Sequence, residues 1–80
     1  MTKNEILAFA QQAGEELIKT MEAEYSHGYQ EKVDYVDLFL LRQGEYNERL
    51  AAILNSKGIE TKIQSGFVYI IFGNEQIAVG

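Results

Sequence analysis

The 80 residues contain no cysteine. That excludes a disulfide scaffold and a thiolate site, so the fold must rest on packing alone, which at this length leaves only a few kcal/mol net. An oxidising compartment is not required, and a cytoplasmic location is the expectation. Histidine occurs once, as His27, and tryptophan not at all. No apolar run approaches the roughly 18 residues of a membrane span. The first residues do not pair a basic start with an apolar stretch, as a secretory signal would, so no membrane contact is expected.

Cations are scarce too: seven Lys and Arg stand against twelve Asp and Glu, a formal net charge of −5. Phosphate binding depends on clustered Lys and Arg, so direct nucleic-acid binding is not expected. A partner with a basic surface suits this charge better than an acidic one, although the same charge also serves solubility.

What remains is a foldable chain. With 46% hydrophobic and 24% charged residues it is too apolar for disorder, which needs low hydrophobicity and high net charge. A domain of this size buries roughly 60 to 65% of its unfolded surface, enough for one core. Residues 1–80 therefore read as a single small α+β domain.

Thr2 and Glu5 have capping-box spacing, which predicts a helix start. From there Ile6, Leu7, Phe9, Ala10, Ala13, Gly14, Leu17, Ile18 and Met21 fill one half of a helical wheel. Gln11, Gln12, Glu15, Glu16, Lys19 and Glu22 fill the other. The helix is expected to reach about Tyr25, where Ser26, His27 and Gly28 interrupt the pattern. Gly14 lies in the apolar face at a cost of about 1 kcal/mol relative to Ala, so close approach by another element is expected there.

The next stretch reads as a second helical region from about Gln30 to Lys57, stopped by Gly58. It gathers Tyr35, Val36, Phe39, Leu40, Tyr46, Leu50, Ile53 and Leu54 on one side, with Glu31, Asp34, Asp37, Glu45 and Glu48 opposite. Leu38 and Leu41 then fall within the acidic face, and Gly44 sits mid-helix. Either the helix kinks or breaks at Gly44, with the leucines part of a contact surface, or Val33 to Leu41 is an additional strand. The low β-branched content, Val33 and Val36 alone, favours helix.

After Gly58 the period becomes two. Ile59, Thr61 and Ile63 alternate with Glu60, Lys62 and Gln64, a half-buried strand. Ser65–Gly66 and Gly73–Asn74 read as turns. Between them Phe67 to Phe72 is apolar on both faces and should be central. Gln76 to Val79 returns as a short strand carrying Ile77 and Val79. The expected fold is an N-terminal amphipathic helix and a second helical region packed on a C-terminal three-stranded antiparallel β-meander. Helices can cover only one face of that sheet, so residues 33–41, a second copy or another protein must cover the other.

Chemistry finds little support. His27 with Glu24, Glu31 and Asp34 could be drawn as a metal site, but one Glu-x-x-His lacks the ligands that zinc and di-iron centres need. Twelve dispersed carboxylates select no acid–base pair. Ser26 beside His27 has no triad logic, and Gly66 and Gly73 form no phosphate-binding motif. No catalytic residue, cofactor or metal is therefore assigned.

The acidic row would extend about 25 Å on a helix at roughly 1.5 Å per residue, with Leu38 and Leu41 as an apolar centre in a charged rim. The expected function is thus a small acidic, non-enzymatic protein-binding or regulatory module. Its partner residues would be Asp34, Asp37, Leu38, Leu41, Glu45 and Glu48. A structural homodimer is one alternative. An acidic mimic of nucleic-acid phosphates that blocks a nucleic-acid-binding protein is another.

Overall fold

The computed structural model describes the backbone of residues 1–28 and 35–79, and the side chains of 1–24 and 43–79. Two helices, α1 (Lys3–Gly28) and α2 (Tyr35–Ser56), precede three strands, β1 (Thr61–Gln64), β2 (Phe67–Phe72) and β3 (Glu75–Ala78). The sheet is antiparallel in the order β1-β2-β3, so β2 is central as its two apolar faces require. The expected α+β meander with both helices N-terminal is observed.

The start of α1 forms as its spacing implies. The Glu5 amide donates to Thr2 Oγ1 and the Thr2 amide to Glu5 Oε1, each at 3.2 Å, the reciprocal pair of a capping box. At the other end the helix continues to Gly28 instead of ending near Tyr25. Ser, His and Gly each cost a helix at most about 1 kcal/mol, which is insufficient to break one already packed along its length.

Residues 35–41 are helical, which removes the additional strand for them; Val33 and Asp34 lie outside the described residues. Nor does α2 break at Gly44, which is an exposed helical position with open space where a Cβ would stand. The helix ends in a Schellman turn. The Ile59 amide donates to the Leu54 carbonyl and the Gly58 amide to that of Asn55, with Gly58 at φ +79° and Leu54 and Ile59 both buried.

The hairpins follow from turn chemistry. Ser65 and Gly66 both have positive φ, the mark of a type I′ turn, while Gly73 alone is positive in the second turn, as type II′ requires.

The core is a three-way junction. Ala10, Ala13, Leu17 and Met21 of α1 meet Tyr46, Leu50, Ala51 and Leu54 of α2, and these meet Ile59, Val68 and Ile70. Small residues on α1 set the spacing. A Cβ placed on Gly14 would stand 2.8 Å from Tyr46 Oη, so this glycine makes room for a buried tyrosine. Close approach there is as the sequence implied.

The two helical glycines should therefore respond oppositely to alanine. Gly44→Ala gains helix propensity without a clash and should stabilise by about 0.5–1 kcal/mol, raising the thermal midpoint by several degrees. Gly14→Ala should lower the midpoint, because a buried ring has to move. Its loss should disappear in a Tyr46→Phe background, where the nearest remaining ring atom is 4.0 Å away. A four-variant thermal unfolding cycle measures this coupling.

Candidate functional site

Strand register decides which side chains share a face. Thr61 pairs with Ile70, Ile63 with Val68, and Ile70 with Ile77, so these residues and Phe72 look toward the helices. Val68 and Ile70 are buried there. On the opposite face Tyr69 stands between Lys62 and Ala78, Phe67 beside Gln64, and Ile71 beside Gln76. The Ile71 amide donates to the Glu60 carbonyl, which carries the same register back to Glu60.

The result is an apolar row, Phe67-Tyr69-Ile71, rimmed by Glu60, Lys62, Gln64 and Gln76. Phe67 is 48% exposed, and Tyr69 and Ile71 are half-buried. The described core lies wholly on the other side of the sheet.

The sheet is held to α2 by amides as well as by apolar contact. Gln43 Nε2 and Asn47 Nδ2 both donate to the Gly66 carbonyl, at 3.1 and 2.9 Å, anchoring the first hairpin turn. Asn47 is 2% exposed, and its buried Oδ1 has no hydrogen-bond partner among the described residues. At the opposite end of β1, Thr61 Oγ1 donates to Asn55 Oδ1 at 2.9 Å. These anchors fix the tilt of the sheet, and so the direction in which its open face looks.

The residues singled out from sequence as partner-binding are not assembled into one surface among the described residues. Asp34 lies outside them, as do the side chains of Asp37, Leu38 and Leu41. Glu48 is exposed, but Glu45 is half-buried with Oε1 4.0 Å from Arg49 Nη1. Arg49 also reaches across to α1, where both its terminal nitrogens bond Glu24, at 2.7 and 3.1 Å. Glu24, a carboxylate that could have accompanied His27 at a metal, is thus paired with a guanidinium. No cluster of three metal-ligating side chains occurs among the described residues, and no described helix is long and apolar enough to cross a membrane.

Sequence reasoning missed Asn47 and Arg49. Asn47 falls inside the stripe Tyr46, Leu50, Leu54, and that polar residue at an apolar helical position was the available signal. The local signal at Arg49 is only its i,i+4 spacing from Glu45; its bidentate partner lies 25 positions earlier. No family model, curated protein or solved structure matches the chain.

The Arg49 hydrogen bonds hold Glu24 below the usual carboxylate range. A depressed carboxylate pKa contributes stability above the unfolded value, about 4.3 for Glu, and loses it as pH falls through the lower folded value. Glu24→Gln should therefore lower the thermal midpoint at neutral pH. The gap to the parent protein should close on acidification below about pH 4, and a gap independent of pH would point to packing instead of charge.

Proposed function

We propose that this chain is a non-enzymatic protein-binding module, and that the open face of its sheet receives an amphipathic helix from a partner protein. The observation that carries this reading is the row Phe67-Tyr69-Ile71. Sheets in small domains bury one face and solvate the other, yet this central strand is apolar on both, and contiguous exposed apolar surface marks interaction sites.

The face is small, whether its occupant is a helix or a second copy of the sheet. Three strands about 4.8 Å apart and up to six residues long at about 3.3 Å each present roughly 300 Å². A stable interface needs about 800 Å² per partner, so this face alone does not suffice for either occupant. An apolar helix stripe of about four turns at 5.4 Å spans the row, and its polar flanks can meet Glu60, Lys62, Gln64 and Gln76. Further area would come from the partner's contacts beyond the sheet.

Net charge supports a basic partner surface, and Glu48 is exposed to meet one. The reading as a phosphate mimic has less support, because Arg49 places a cation among the carboxylates Glu24 and Glu45.

The test is affinity capture from native extract with the parent chain and with Ile71→Glu, followed by hydrogen exchange on the captured complex. The substitution should cut retention at least tenfold while the thermal midpoint stays within a few degrees, and β2 amides should gain protection in the complex. Equal retention by both proteins would reject the open face. A concentration-dependent dimer in sedimentation that Ile71→Glu abolishes would replace the partner helix with a second copy.

A further inference from the structure

A second, independent feature lies at the edge of the sheet. The outer edge of β3 and the N-terminal part of α1 bound a groove of about 390 Å³, lined by Leu7, Gly14 and Ile18 of α1, Tyr46 of α2, and Ile77 and Val79 of β3. Ladder phase shows which backbone groups face it. The Val79 amide donates to the Val68 carbonyl at 2.8 Å, and Ile77 and Glu75 occupy the same phase opposite Ile70 and Phe72. In an antiparallel ladder inward bonding alternates. The N–H and C=O of Gln76 and Ala78 therefore point to the free edge.

That edge carries few of the devices that usually protect one. β3 holds no Lys and no Pro, its register has no bulge, and its one charge, Glu75, is paired with Lys3 at 2.8 Å. β3 is terminal in the strand order. At the groove wall the Glu15 carboxylate meets the neutral Gln11 amide at 3.5 Å, with no described cation in ion-pair range.

We infer that this groove takes an extended peptide segment of a partner protein, which adds to β3 as a fourth strand and sets a Lys or Arg against Glu15. The outward groups of Gln76 and Ala78 recur every second residue, the spacing that an extended backbone matches. Alternate side chains of that strand fall against Leu7, Ile18, Ile77 and Val79. The uncompensated Glu15 in a chain of net charge −5 selects a basic residue where the strand passes α1. A second copy fits poorly, because α1 walls its own β3, and pairing two β3 edges would bring both α1 helices into one groove.

The experiment is an NMR titration of the 15N-labelled chain with nonapeptides that alternate Val and Thr and carry one Lys, placed at each position in turn. At least one should shift the Gln76 and Ala78 amides and slow their exchange. Replacing its Lys by Glu, or using Glu15→Gln protein, should weaken it about tenfold. Ala78→Pro removes an outward N–H that contributes nothing to the present ladder, which edge strands tolerate, and should abolish binding without unfolding. Ile71→Glu should leave it intact, which separates this site from the open face. The inference is overturned if no peptide in the set perturbs these two amides at millimolar concentration, or if the shifts map to Phe67, Tyr69 and Ile71.

Discussion

The architecture depends on the buried stripe of α2. Leu50 and Leu54 are wholly buried because they stand between the small-residue face of α1 and the inner face of the sheet, and α2 is the element that joins both layers. Its two ends are tied to the same hairpin, through Asn55 and the Schellman turn at one end and through Gln43 and Asn47 at the other. A helix so fixed covers β1 and β2. It does not reach the far side of β3, where α1 stands off and leaves a groove, and among the described residues it has no counterpart on the outer face. Both candidate binding surfaces are thus consequences of where α2 sits.

Much of this was legible in the sequence because the relevant signals are local. Thr2 with Glu5, Gly58 after Lys57, and Ser65–Gly66 each encode a backbone geometry within a few residues. The change from helical to strand period after Gly58 is equally local. Gly14 was legible for a different reason: a costly residue in an apolar face implies a neighbour that needs the space, although only the structure shows that neighbour to be Tyr46. Residues 33–41 were harder, because Leu38 and Leu41 break the helical pattern and Val33 to Leu41 also satisfies a two-residue period. Short apolar runs do not decide between the two. The backbone of 35–41 is helical and continuous with the strongly patterned helix from Glu45 onward, the alternative that the low β-branched content favours.

The candidate site was less legible than the fold. The acidic row was identified from charge positions on one helix, and such a row ignores what crosses from elsewhere. Arg49 lies on the same helix, yet its main partner is Glu24 on α1, so the charge of this surface depends on helix–helix geometry. Exposed pairs of this kind add little stability, but they change the potential that a partner meets. The apolar demand of β2 counts faces instead of charges, and among the described residues both helices pack on one of those faces.

The open face and the β3 groove differ in what they ask of an occupant. An open face rewards apolar area with weak orientational preference, so its energetics scale with how much of Phe67, Tyr69 and Ile71 is covered. A strand edge rewards backbone hydrogen bonds and tolerates varied side chains, with specificity left to alternate positions and to Glu15. One partner could meet both demands only by presenting a strand and a helix to adjoining sides of β3, since Ala78 and Gln76 border the open face while their backbone groups form the edge. That adjacency couples the two surfaces. A fourth strand on β3 would widen the open face by about 4.8 Å, enlarging the area a helix could cover and bringing it nearer to what a stable interface requires.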